Sequence, residues 1–132
     1  VLCAGSNARL DVVIQLPWPP TVNHYYTISR GKRPRKILSD AGRAYKKYAC
    51  ECMMVQGVPK LSEERRPFSL RILASPPDRR RRDLDNILKA LIDSLVDYGA
   101  IPDDWMVDQI MIHRLEPVRD GQIEVHIGGD TI

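Results

Sequence analysis

The sequence predicts an α+β fold: a single domain in the order β-α-β-α-β-β, with helices packed on a mixed sheet. Three observations carry the expectation. Residues 39–56 and 84–98 repeat apolar side chains at helical spacing. Runs at 11–16, 68–74, 107–115 and 122–127 are rich in β-branched residues or alternate in polarity, as strands do. At 132 residues and 43% apolar content, the chain suits one domain with its own core.

Residues 1–10 are small, polar and unpatterned, and are expected to form an N-terminal extension, frayed or lying ahead of a domain at 11–132. Asp11 to Leu16 (DVVIQL) reads as the first strand. Pro17, Pro19 and Pro20 end it, because proline cannot continue a ladder. NHYY at 23–26 and RGKRPRK at 30–36 follow, with Gly31 and Pro34 as breakers. Ser39 or Asp40 can cap a helix through Ala44, Tyr45, Tyr48, Ala49, Cys52, Met53 and Val55, and Gly57 and Pro59 stop it. Phe68 to Ala74 carries apolar residues on both faces, as a central strand does. A helix through Leu84, Ile87, Leu88, Leu91, Ile92, Leu95 and Val96 ends at Gly99. The loop 117–121 is of hairpin length, so the last two strands are expected to pair antiparallel.

Charge is informative in its distribution. The formal net charge is only +3, yet cations cluster at Arg30, Lys32, Arg33, Arg35 and Lys36, and again at Arg79, Arg80, Arg81 and Arg82. Such clusters suit a polyanion, although a charge run is more often a solvated loop. Asn23 and Tyr25 beside the first cluster suit a DNA surface, where rings stack on bases and cations hold phosphates; a ring folded onto the core is the equal alternative. Lys46 and Lys47 decorate the open face of the 39–56 helix. No apolar run approaches membrane-spanning length, and the start lacks a secretory pattern, so a cytoplasmic protein is expected. Cys3, Cys50 and Cys52 form no CxxC motif and read as packing residues.

The chemistry concentrates in DRRRRDLDN at 78–86. Asp83 and Asp85, one residue apart, share a side of an extended segment. A third acid, Asp104 or its neighbour Asp103, would complete an all-oxygen site for Mg²⁺, with Mn²⁺ as a substitute. The helix between them spans roughly 20 Å, so Asp104 must return along it. The ordinary alternatives are a cap at Asp85, an arginine partner for Asp83, and an i,i+4 pair of Lys89 with Asp85. Four arginines beside the acids favour phosphodiester hydrolysis, in which metal and cations stabilise added negative charge. His24, His113 and His126 support no separate site, and there is no GxxxxGK[ST] loop.

At these residues the sequence closely resembles the RusA family of Holliday junction resolvases. The matching pieces are LPWPP at 16–20, NHYY at 23–26, SDAGRAY at 39–45, PDRRRRDLDN at 77–86, Lys89, and Asp103-Asp104 with Val107-Asp108. The resemblance implies a homodimeric, Mg²⁺-dependent crossover junction endodeoxyribonuclease of DNA recombination and repair, common in phages and prophages. It makes Asp83, Asp85 and Asp104 the metal-binding acids and gives Lys89 a catalytic role. The chain departs from the family at residues 1–10, and at Ala100-Ile101-Pro102, which lacks bulky aromatics before the acid pair. Two other readings stay open: a non-catalytic junction- or single-strand-binding protein of the same fold, and a nuclease for other branched nucleic acids.

Overall fold

The structure, a computed structural model, describes residues 12–61, 63 and 65–128. The extension expected at 1–10 and the tail at 129–132 lie outside the described residues. The main sheet holds β1 (Val12–Leu16), β4 (Phe68–Ser75), β5 (Val107–Arg114) and β6 (Gln122–Gly128), in the order β1-β6-β4-β5. β6 runs antiparallel to both β1 and β4, while β4 and β5 are parallel, so the sheet is mixed. Helices α2 (Asp40–Val55) and α3 (Leu88–Tyr98) pack on each other and on one sheet face. The period-two side chains Ile14, Leu70, Ile72, Val125 and Ile127 are buried with Met53, Leu91 and Leu95 of the helices. No helix among the described residues is long and apolar enough to cross a membrane.

Two features differ from the sequence reading. The last two strands do not pair with each other, because β4 lies between them. β6 buries Ile123, Val125 and Ile127 and takes a central position, whereas β5 leaves Ile110 and Met111 exposed and takes the edge. The connection between them is bonded to the end of β4, Leu115 N–H to the Ala74 carbonyl and Val118 N–H to that of Pro76. It crosses that strand instead of turning tightly.

The second difference lies after the proline run. Residues to which the sequence reading assigns no element form a helical turn, α1 (Val22–Tyr25), and a hairpin of β2 (Tyr26–Ile28) and β3 (Lys36–Leu38). The basic run is therefore the tip of a hairpin. Ser29 N–H bonds to the Arg35 carbonyl at 2.7 Å, and Arg35 N–H bonds to Ser29 Oγ at 2.8 Å.

Ser39 caps α2 as expected, its Oγ accepting from Gly42 N–H at 2.9 Å. The same hydroxyl donates to the His24 carbonyl at 2.5 Å, which ties the helix start to α1. At the other end of the core, α3 begins late. Leu84–Ile87 form a 3₁₀ turn with Asp83 at its N-cap, and α3 follows to Gly99, whose φ of 97° is the left-handed stop that glycine allows.

Candidate active site and its cationic surround

The 3₁₀ turn decides how the acids are presented. Asp83 caps it with extended backbone and makes no side-chain cap hydrogen bond. Asp83 and Asp85 are both exposed, and neither carboxylate has an ion pair or hydrogen-bond partner among the described residues. The arginine partner considered for Asp83 is thus absent among the described residues. Asp85 likewise does not pair with Lys89. Lys89 instead reaches forward to Asp93, at 3.2 Å.

Lys89 is the hub of this surface. Its pKa is raised, first by the hydrogen bond to Asp93 and then by the negative charge of Asp93, with contributions from Tyr26 and Asp104. A lysine so placed stays an ammonium. Asp104 stands on the 3₁₀ turn Asp104–Met106 that opens β5, and this turn packs against α3. The connecting residues Ala100 and Ile101 are fully buried, which anchors the return. Asp103 accepts from Asp104 N–H at 2.8 Å, so it serves the turn and leaves the Asp104 carboxylate exposed.

Asp93 also accepts from Tyr25 Oη–H at 2.9 Å. This corrects the reading of Tyr25 as a DNA contact: the ring has no solvent exposure. Burial, then the bond to Asp93, pushes its phenol far above the usual range. Its neighbour Tyr26 is the ring at the surface, edge-on to Tyr25 at 4.9 Å, with Lys36 Nζ 4.3 Å above it. Asn23, Arg30, Lys32, Arg33, Arg35 and Lys36 are exposed on this hairpin side. Lys47 is exposed as well, but Lys46 is half-buried and pairs with Asp97 at 3.6 Å. Cys50 also donates to Asp97, at 3.6 Å, in keeping with a packing role.

The arginine run folds into the wall of a cavity of about 230 Å³ that also holds Trp18 and Arg114. Arg82 is anchored by Asp78 at 2.6 Å, and the Arg114 guanidinium donates to the Arg82 carbonyl at 2.5 Å. The Arg82 bond, then the Arg80 N–H, hold the Asp78 carboxyl down to about 2. Arg79 faces Glu116 at 3.3 Å and Arg80 faces Asp78 at 3.5 Å. Those pairs are exposed, so they are weak and exchangeable for phosphate. Arg81 is exposed and has no ion pair among the described residues.

The structure therefore ties Lys89 to Asp93 and, through Asp93, to Tyr25, with Asp83 and Asp85 one turn earlier on the same segment. Sequence reasoning missed Asp93, although its i,i+4 spacing from Lys89 was visible. It also missed Arg114 and Trp18, which only the fold brings to the arginine loop. Among the described residues, no three of His, Cys, Asp and Glu gather tightly enough to hold an ion by themselves. The donor chemistry nonetheless fits a hard cation: Asp83, Asp85 and Asp104 are exposed carboxylates. Mg²⁺ in particular binds through one or two carboxylates and keeps several waters.

A sequence profile described as Endodeoxyribonuclease RusA matches residues 17–128. The chain is 35% identical over 112 residues to a crossover junction endodeoxyribonuclease rusA of Enterobacteria phage HK97, covering 85% of this chain and 89% of that one. It is 36% identical over 114 residues to the protein of that name from Enterobacteria phage 82, covering 86% and 91%. It is also 36% identical over 118 residues to that of Escherichia coli strain K12, covering 86% and 91%. With the expected α+β fold in place and the match spanning nearly the whole chain, this protein belongs to the RusA endodeoxyribonuclease family.

Proposed function

We propose that this chain is a structure-selective endodeoxyribonuclease that resolves four-way DNA junctions by metal-dependent phosphodiester hydrolysis. It acts in the cytoplasm as a homodimer, whose two-fold symmetry matches the approximate symmetry of the junction, so each protomer nicks one of two equivalent strands. Residues 11–132 form the one nuclease domain. The relatives' shared name supports the activity. The observation that carries the reading is the pair of exposed carboxylates Asp83 and Asp85, without a partner among the described residues, on the segment that runs from the arginine-lined cavity to Lys89.

Asp83, Asp85 and Asp104 would hold Mg²⁺, or Mn²⁺ in its place. When bound, the ion lowers the pKa of a water and polarises a phosphoryl oxygen. The chain's own groups do the rest. Asp93 keeps Lys89 protonated, so Lys89 acts as a fixed positive charge for the developing phosphorane, not as a base. Arg79, Arg80, Arg81 and the hairpin cations grip backbone phosphates, which position the DNA without reading sequence.

The deciding experiment compares a synthetic four-way junction with linear duplex, in Mg²⁺, in Mn²⁺ and with chelator. Paired symmetric nicks on the junction, lost with chelator, are expected. Junction binding without cleavage in either metal would instead mark a non-catalytic binding protein. Equal cutting of flaps or RNA would mark a broader nuclease.

Arg80 and Arg81 provide a separate test of DNA contact. Replacing both with alanine is expected to weaken junction binding and to flatten the slope of log K against log salt by roughly 0.9 per lost phosphate contact. An unchanged slope would remove them from the DNA surface.

A further inference from the structure

Trp18 is firmly held, yet its ring serves no partner. It stands half-buried in the stiff proline run that leaves β1, where the Pro17 carbonyl accepts from Tyr45 Oη–H at 2.8 Å. The turn before β6 also seats against it: a Cβ at Gly121, whose φ is 73°, would stand 2.8 Å from Trp18 Cβ and 3.1 Å from Pro77 Cδ. Space as well as conformation therefore asks for glycine there. Among the described residues no cation or ring stacks on the indole, and its N–H, which is not buried, has no hydrogen-bond partner. A tryptophan so fixed and so little used is a prepared contact surface, because the fold has already ordered it.

The cavity that Trp18 lines supplies the other half of a ligand. Pro76, Leu115 and Pro117 add apolar lining, while five arginines against three acids leave the cavity cationic. Arg82 and Arg114 are engaged within the fold, through Asp78 and the Arg82 carbonyl. Arg81 is exposed and has no ion pair among the described residues. A bare phosphate would leave the indole unused, and an aliphatic group would leave the guanidinium unused. A flat ring carrying a phosphate uses both. The cavity's 230 Å³ equals roughly eight waters at ~30 Å³ each, which suits one base and not a stacked pair. Asp83 lines the same cavity, so an occupant sits beside the candidate metal acids.

We propose that this cavity is a subsite for one unstacked nucleotide of the strand being cut, its base against the Trp18 indole and its phosphate on Arg81. The place on the cut strand rests on the nuclease reading above; the chemistry of the occupant rests on the cavity. Unstacking costs least where pairing is already broken, as at a branch point. An aromatic ring accepts any base, so Trp18 holds the nucleotide next to the acids whatever its identity.

Two measurements on the full chain test the subsite, both with chelator present so that nothing is cut. In the first, Trp105→Phe leaves Trp18 as the only tryptophan, and its fluorescence reports ligands directly. Deoxynucleoside monophosphates are expected to quench it saturably, with deoxynucleosides and inorganic phosphate about tenfold weaker. Adding Arg81→Ala should remove the advantage of monophosphates over nucleosides. Phosphate acting as strongly as the monophosphates, or no quenching by any of the three, overturns the subsite. In the second, the nucleotides flanking the cut, located beforehand from the Mg²⁺ cleavage products, are made abasic one at a time in a four-way junction. At one of them the missing base is expected to weaken binding about tenfold, and Trp18→Leu to bind intact and abasic junctions equally. If Trp18 were merely structural, the two losses would add, and the proposal would fail. If Trp18→Leu does not fold, the first measurement, which keeps Trp18, decides. A chain that cuts junctions but fails these measurements loses the subsite alone. One that binds monophosphates but cuts no junction loses the nuclease reading and, with it, the subsite's place on a cut strand.

Discussion

Asp83→Asn is expected to lower junction cleavage by about 10²–10³-fold while junction binding holds or tightens. The physical reason lies in how Asp83 is held. It caps the 3₁₀ turn through its extended backbone, with no side-chain cap hydrogen bond. The amide replaces a carboxylate of the same shape, so the fold loses nothing it was using. What is lost is a negative charge that only a cation would need. A carboxylate beside phosphates is repulsive without its metal, so the neutral variant binds the junction as well or better. Cleavage rate and binding affinity, measured on the same junction, separate the two effects. If binding and thermal stability fall together with cleavage, Asp83 holds the loop and is not a ligand.

Gly42→Ala should destabilise the domain by about 1–3 kcal/mol, against the usual trend. In an ordinary helix interior, alanine is favoured over glycine by roughly 1 kcal/mol. Here a Cβ at Gly42 would stand 2.5 Å from the Tyr25 carbonyl oxygen and 3.0 Å from the Tyr25 ring. The oxygen belongs to backbone that also accepts from Ser39, so it cannot swing aside as a flexible side chain does. The clash therefore outweighs the helix preference. Displacing Tyr25 also disturbs its bond to Asp93, and Asp93 sets the position of Lys89. Denaturant titration reads the stability loss, and cleavage in the folded fraction should fall too. A variant as stable as the parent would mean that α1 and α2 separate at little cost.

The candidate site is argued largely from the sequence. DRRRRDLDN signals its chemistry because acids and cations crowd a helix start, and that is a local property of the chain. The Ser39 cap and the Gly99 stop are local too, and both stand as read. Tyr25 shows where locality ends. Its neighbours in sequence are polar and basic, yet the ring is buried because α1 turns it under the start of α2 and towards Asp93 of α3. Nothing within a few residues of Tyr25 records that contact, which spans 68 positions along the chain.

The pairing of the last two strands failed for a related reason. A loop of the right length permits a hairpin, but strand order answers to which strands most need two neighbours. β4 and β6 bury nearly every inward side chain and take the centre, while β5 does not and goes to the edge. By itself, then, the sequence determined the four strands of the main sheet, the two long helices, the family and the residue types of the candidate site, because periodicity, caps and motif spacing are written over short stretches. Only the tertiary structure decided that Lys89 answers to Asp93, that Arg114 and Trp18 wall the arginine loop, and that β5 stands last in the sheet order. Each of these depends on distant segments competing for the same buried surface, and that competition is settled only when the whole chain packs.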